Sequence, residues 1–277
     1  MPDNHKTDEL ELKKKIREAF NIVAEGYDSP ALRFFTESAK HLPEYLNLKG
    51  DEHVLDIATG TGHAAITIAG VLPEGLVTGI DFSEGMLSRA RTKIKERGVR
   101  NVRLLSMDMQ ALDFPDNAFD AAVFSYSIFF VEDMEGVLRH VMGKVKSGGR
   151  VLVTSFQEGT FSPQVDMFFE RVKKYGVETP STWRRLETRE ECTALFEKAG
   201  LTEVRVGTKD IGYHLTNAGQ WWDIVWNAGL RRFVSSLSNK DLEKFRDEHL
   251  KDIESLSTGN GIWLEVKALY VSGIKHR

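Results

Sequence analysis

The stretch His53-Val54-Leu55-Asp56-Ile57-Ala58-Thr59-Gly60-Thr61-Gly62-His63 constrains this chain more than any other. A short apolar run carries one acid, Asp56, and then breaks into a small loop with two glycines. A helix-like segment, 64–72, follows at once. That order predicts a strand, a tight turn and a helix N-terminus, the opening unit of a doubly wound sheet. Gly60 and Gly62 lack a Cβ, so the backbone can turn sharply and a ligand can lie against it. The helix beyond turns unpaired N–H groups toward the same place. The ligand therefore reads as nucleotide-like, and the spacing excludes two common kinds. No third glycine completes the G-x-G-x-x-G of a pyrophosphate site, and no Lys-Ser/Thr pair marks a triphosphate loop. Asp56 would repel a pyrophosphate and suits a cationic amino group.

Later stretches repeat the arrangement. Residues 77–80 predict a second strand ending in Asp81, spaced from Asp56 so as to accept both hydroxyls of a ribose. Ser83 then caps a helix running to about Arg97. Residues 102–106 predict a third strand, followed by Met107-Asp108-Met109. A fourth, 121–125, is preceded by Leu112-Asp113-Phe114-Pro115-Asp116-Asn117-Ala118-Phe119-Asp120, where Phe119 and Asp120 anchor its start. It runs into Ser125-Tyr126-Ser127-Ile128-Phe129-Phe130, and the C-terminal tips of parallel strands border the ligand crevice. A helix from Asp133, a turn at 146–150 and a fifth strand, 151–156, complete this half.

Two helices, 8–25 and 31–46, precede the first strand and form an N-terminal helical extension over residues 1–50. Beyond 156 come helical runs at 163–175 and 189–199, a loop at 176–187 holding Trp183, and a sixth strand at 202–212. Two more helices, 217–237 and 239–256, precede a last strand at 261–272. Segments near 157–188 and 213–258 are expected to cap the substrate, with 51–277 as the main domain. Trp222 and Trp226 share a helix face; Trp222 either packs the cap or meets the substrate.

The four marks D-x-A-x-G-x-G (Asp56 to Gly62), Gly79-Ile80-Asp81-Phe82-Ser83-x-x-Met86-Leu87, Asp108, and the segment before strand four resemble, in order, the class I S-adenosylmethionine (SAM) methyltransferases. Phe20-x-x-x-Ala24-x-x-Tyr27-Asp28 and Lys146-Ser147-Gly148-Gly149 resemble flanking signatures of the same family. The chain is similar to its ubiquinone/menaquinone biosynthesis group over residues 20–156. The resemblance implies a Rossmann-like α/β fold: a seven-stranded, mostly parallel sheet with helices on both faces, a reversed last strand, and a helical cap inserted before it. It implies SAM as cofactor and S-adenosylhomocysteine as product. Tyr27, Asp56, Ala58, Gly60, Gly62, Asp81, Phe82, Met86, Asp108, Met109 and Ser125 are then the cofactor residues. Ala58 replaces the family's usual first glycine. Phe129-Phe130 stands where many relatives carry two histidines, so an apolar substrate wall is implied. The substrate residues become Phe129, Phe130, Trp183, His214 and Trp222.

Methyl transfer is an in-line displacement that needs a held nucleophile and a dry site. The sequence shows no conspicuous acid or base. His63, Tyr126, Asp133, Tyr213 and His214 could take a proton, with His214 and Tyr126 the candidates carried forward. The reading is a SAM-dependent methyltransferase of a small apolar or aromatic molecule; the alternative is a SAM-binding sensor or partner subunit without transferase activity. A nicotinamide oxidoreductase is disfavoured by the glycine spacing. A net charge of −4 without a basic block argues against nucleic acid. One cysteine, Cys192, is too few for arsenite methylation and fits a reducing cytoplasm. Eight dispersed histidines predict no metal site. No secretory signal or membrane-spanning run is read, and a monomer or homodimer is expected.

Overall fold

The computed structural model describes residues 3–179 and 184–276. The chain opens with α1 (Asp3–Val23), a 3₁₀ turn (Pro30–Leu32), α2 (Phe34–Ala39) and α3 (Leu42–Leu46). One helix was expected over 31–46. Pro43 lacks the N–H needed to continue a helix and instead sits in the first turn of α3. Next come β1 (His53–Ile57), α4 (His63–Ala69), β2 (Leu76–Asp81), α5 (Glu84–Glu96), β3 (Val102–Ser106) and β4 (Phe119–Ser125). A 3₁₀ turn (Ile128–Phe130), α6 (Met134–Lys144) and β5 (Val145–Phe156) follow. The second half holds α7 (Gln164–Lys174), α8 (Arg189–Ala199), β6 (Leu201–Asp210), β7 (Tyr213–Leu215) and α9 (Ala218–Asn227). It ends with α10 (Arg231–Val234), α11 (Asn239–Glu254), β8 (Ile262–Leu264) and β9 (Lys267–Lys275).

The sheet order is β3-β2-β1-β4-β5-β9-β6. Strands β1 to β5 pair in parallel, and β9 runs antiparallel between β5 and β6. The sevenfold, mostly parallel sheet with one reversed strand is thus as expected. Several boundaries differ, and β5 takes in the turn expected at 146–150. The last strand, expected at 261–272, is split: β8 pairs with β7 in a separate ribbon, and only β9 joins the sheet. The helix expected over 217–237 breaks at 228–230 into α9 and α10, where Ala228 is fully extended.

Period-two alternation sends the strand residues to opposite faces. Leu55, Ile57, Ala122, Phe124, Val151 and Val153 join α6 and α8 in one core. Val54, Ala121, Val123 and Leu152 join α2, α3 and α4 in another. A third core gathers α7, α9, α10 and α11 with Ala31, Leu32 and Phe34 of the extension. There the buried Trp221 indole donates to His249 Nε2 (2.8 Å), and burial lowers the His249 pKa to about 4.

Extension and sheet are joined by one buried network. Tyr126 donates to Ser38 Oγ (2.8 Å), Ser38 Oγ to Tyr270 (2.7 Å), and Tyr270 to the Ser38 carbonyl (2.9 Å). All three residues are buried. Replacing Ser38 by alanine strands one tyrosine hydroxyl without an acceptor and the other without a donor, at a cost of about 1–3 kcal/mol. A urea titration of Ser38→Ala should show a lowered midpoint with an unchanged slope; an unmoved midpoint would show that the network contributes nothing to stability.

Candidate functional site

The tips of β1 and β2 are fastened to each other. Thr59 N–H donates to the Ile80 carbonyl (2.8 Å), and Gly60 N–H donates to Asp81 Oδ2 (2.9 Å). Asp81 Oδ1 accepts from Ser83 N–H (2.8 Å), and the Ser83 hydroxyl caps α5. Asp81 is 6% exposed, and burial raises its pKa to about 6. The loop bends through left-handed backbone at Ala58 (φ 53), Gly60 (φ 56) and Gly62 (φ 85). Glycine adopts this freely, whereas Ala58 pays a steric penalty of about 1–2 kcal/mol. That strain explains why a glycine is usual at the position.

A crevice runs along these tips. One part is lined by Ala58, Gly60, Asp81, Phe82, Met86, Met109, Ser125 and Tyr27, and another by Ala58, Asp81, Phe82, Met107, Asp108 and Met109. Most of the expected cofactor residues therefore meet at one place. Two do not. Asp56 is wholly buried behind the loop, where Oδ2 accepts from Thr59 and Oδ1 has no partner; burial raises its pKa to about 7. Gly62 starts α4 and faces the Ala90 side chain on α5. Sequence reasoning missed the wall supplied by α1: Ile16 and Phe20 line the crevice, and Lys13 pairs with Asp108 (3.1 Å) across it. Asp108 Oδ1 accepts from Gln110 N–H. Both of its oxygens are thus engaged.

Beside the crevice lies a cavity of about 970 Å³, counted with its open mouth. Phe20, Tyr27, Tyr126 and Phe130 line both spaces, so the two adjoin there. Six more rings line its other walls: Phe34, Phe35, Phe129, Phe156, Phe161 and Phe233. Tyr126 stacks on Phe156 (4.3 Å between centroids) and Tyr27 on Phe35 (4.9 Å). Phe129 and Phe130 both line this cavity. The phenylalanines at 34, 35, 156, 161 and 233 come from α2, β5, the turn before α7, and α10, and no local pattern marks them. The polar exceptions include Arg185, tied to the Val131 and Glu132 carbonyls, and Glu187, whose pKa burial raises.

Several candidates are displaced from both spaces. His214 is exposed on β7 against Trp263, away from the cavity, because β7 pairs outward with β8. Trp222 is buried in the third core, stacked on Trp226 and near Phe245, and Ile224 takes the cavity wall instead. The Tyr126 ring lines the cavity, but its hydroxyl points into the Ser38 network. Tyr213 donates to the Ala31 carbonyl, and Asp133 caps α6. Trp183 lies outside the described residues. Among the described residues, no cluster of three or more His, Cys, Asp or Glu is placed to hold a metal ion.

Under the loop sits a polar cluster centred on Asp28, the last residue of the signature that begins at Phe20. Asp28 Oδ1 accepts from His63 Nε2 (2.8 Å), Lys93 Nζ (2.5 Å) and Thr61 Oγ1 (2.8 Å), while Thr36 Oγ1 lies 3.0 Å from His63 Nδ1. Burial acts to raise the Asp28 pKa, yet the His63 and Lys93 hydrogen bonds and the ammonium charge outweigh it, holding the carboxyl well below the usual range. Burial also lowers the His63 pKa. A neutral imidazole donating from Nε2 and accepting at Nδ1 satisfies Asp28 and Thr36.

The sequence pattern of the ubiE/COQ5 methyltransferase family matches residues 9–220. The aklanonic acid methyltransferase DauC of Streptomyces sp. (strain C5) is 32% identical over 214 residues, covering 72% of this chain and 97% of that protein. A demethylmenaquinone methyltransferase of Listeria monocytogenes serotype 4b is 27% identical over 231 residues, covering 74% and 95%. The crystal structure of the YcgJ protein from Bacillus subtilis superposes with a TM-score of 0.59 at 22% identity, covering 87% and 99%.

The cluster makes stability acid-sensitive. Both folded pKa values, for Asp28 and His63, are depressed, so each group favours folding above its unfolded pKa and loses that contribution as pH falls. The His63 part starts to go below about 6.5 and the Asp28 part below about 3.9. Urea midpoints measured from pH 7 to 2.5 should show Asp28→Asn below the parent at pH 7 and converging with it at the acid end. A constant gap across that range would remove the cluster from the account.

Proposed function

This chain belongs to the ubiE/COQ5 methyltransferase family and is a SAM-dependent methyltransferase of a small molecule; from that premise, we propose that its substrate is an aromatic, largely apolar molecule held in the phenylalanine-lined cavity. The observation that carries this reading is the junction at Phe20, Tyr27, Tyr126 and Phe130, where that cavity meets the crevice. A flat aromatic body gains both area burial and ring–ring contacts in such walls.

The crevice suits SAM. Asp81 offers a carboxylate to hydroxyl donors, Ala58 and Gly60 leave room beside the loop, and Phe82 and Met109 supply flat apolar cover. Asp108 would meet the base end, sharing its oxygens with Lys13. Asp56 would act from behind, holding the turn through the Thr59 hydroxyl. When bound, SAM supplies a methyl group already activated by its sulfonium. The chain's own part is then to align the acceptor and to keep water out. The tyrosine and histidine candidates for proton removal are committed elsewhere or lie outside the cavity. That arrangement suits an acceptor atom acidic enough to ionise without help, such as a carboxylate, phenolate or stabilised enolate. The substrates named for two relatives, aklanonic acid and demethylmenaquinone, provide the first probes. Cys192, buried with its thiol pushed up to about 12 by burial, fits action in a reducing compartment such as the cytoplasm.

Asp81→Asn should weaken S-adenosylhomocysteine binding by about 1–3 kcal/mol, the loss of a charge-assisted acceptor. Ionised Asp81 is the acceptor and its pKa is about 6, so wild-type affinity should fall between pH 7 and pH 5. The Asn variant should lack that fall. Calorimetry at both pH values reads the two effects, and an unchanged affinity in the variant would count against the crevice assignment. Methyl transfer from labelled SAM should reach aromatic probes and not aliphatic ones of equal size; the reverse preference would overturn the aromatic reading.

A further inference from the structure

The border between crevice and cavity contains one ring held more firmly than packing requires. Phe20, Tyr27, Tyr126 and Phe130 line both spaces. Of these four, Tyr126 alone is buried and alone has left-handed backbone, at φ 54. That region costs an L-residue stability and persists only where the surroundings over-determine it. The Tyr126 N–H, just after β4, donates to the Thr154 carbonyl (3.3 Å) and to Thr154 Oγ1 (3.1 Å) on β5. Its ring stacks on Phe156 and meets Phe35 edge-on, with 5.6 Å between centroids. Its hydroxyl donates to Ser38 Oγ on α2 (2.8 Å). Backbone, ring and hydroxyl are each held by a different partner. A groove between α1 and α10 forms the cavity's outer mouth, lined by Phe20 and Phe130 but not by Tyr126. Tyr126 therefore stands at the inner end, where an acceptor must face the donor methyl.

In-line displacement tolerates little misplacement of the acceptor, and a small shift costs a large factor in rate. A ring that can rock lets the acceptor packed against it rock too, whereas a bound hydroxyl fixes the ring's far end. We propose that Ser38, which borders neither space, is a positioning residue for methyl transfer. By accepting from the Tyr126 hydroxyl it sets the angle of that ring, and the ring sets the acceptor's line of approach. Tyr270 completes the Ser38 hydrogen bonds from β9 and also borders neither space, so it steadies α2 without reaching the site. This proposal rests on the aromatic-cavity reading above and gives the N-terminal extension a part in the chemical step.

The test measures single-turnover methyl transfer from labelled SAM by the full chain, at a temperature where circular dichroism shows every variant folded. The acceptor is whichever of aklanonic acid, demethylmenaquinone and a hydroxynaphthoate the wild type methylates fastest. Tyr126→Phe keeps the ring and removes only the hydroxyl. Its rate at saturating acceptor should fall by about tenfold or more. The acceptor concentration at half-maximal rate and the S-adenosylhomocysteine affinity should stay within about twofold, the mark of a loss confined to the transition state. Ser38→Ala should fall as far, and the double variant no further than either, because both cut one bond. Tyr270→Phe should lower the urea midpoint yet keep the rate within about twofold, which separates alignment from stability. Four results would each overturn the proposal and leave the aromatic cavity standing: retained rates in Tyr126→Phe or Ser38→Ala, a raised half-maximal concentration at unchanged rate, losses that multiply in the double variant, or a matching loss in Tyr270→Phe. If the wild type methylates none of the three aromatic acceptors, the cavity reading falls and takes this proposal with it.

Discussion

The structure depends on the joint between the tips of β1 and β2. Parallel pairing brings Asp56 level with Gly79 and Ile57 level with Ile80, which sets the loop after β1 beside the end of β2. The Thr59 and Gly60 amides then donate to the Ile80 carbonyl and the Asp81 carboxylate, so the loop cannot open without exposing a buried acid. Gly79 is part of this joint, because a Cβ there would sit 3.0 Å from Thr59 Oγ1 and 2.8 Å from Leu104. Everything that faces the crevice is aimed by this arrangement. The strain at Ala58 is tolerated because the neighbouring bonds over-determine the loop.

The extension is built into the site. Two of its anchor points are polar: buried Ser38 receives Tyr126 from just after β4 and Tyr270 from β9, and half-buried Asp28 receives Lys93 from α5 and His63 from α4. Asn21 adds a third, accepting from the Ser83 hydroxyl and the Gly85 amide. These bonds carry Ile16, Phe20 and Tyr27 into position, where they wall the crevice, and Phe20 and Tyr27 wall the cavity too.

Legibility in the sequence followed locality. Strand tips with acids, glycine turns and helix caps were readable because each is set by neighbours within a few residues; Ser83 and Asp133 cap the helices they were expected to cap. Asp120 accepts from the His53 amide at the base of β1, matching its expected anchoring role. What failed depended on packing between distant segments. His214 was placed by the sixth strand's direction, but a second ribbon with β8 turned it outward. Asp56 was judged by its position near a tip, and only the turn of the loop behind it shows that it lies inward. Phe129 and Phe130, expected as an apolar wall, line the cavity, whereas its other rings meet only where α7, α9 and α10 pack on the extension.

Phe130 borders the crevice, the cavity and the mouth together, while Ile224, Ala228 and Phe233 border the cavity without touching the crevice. Evolution or an engineer wishing to change the acceptor molecule thus has two unequal routes. Altering residue 130 reshapes the crevice and the cavity in a single stroke. Resurfacing α9 and α10 leaves the crevice intact, which, on the function proposed above, makes the inserted helices the natural place for related enzymes to diverge in what they modify.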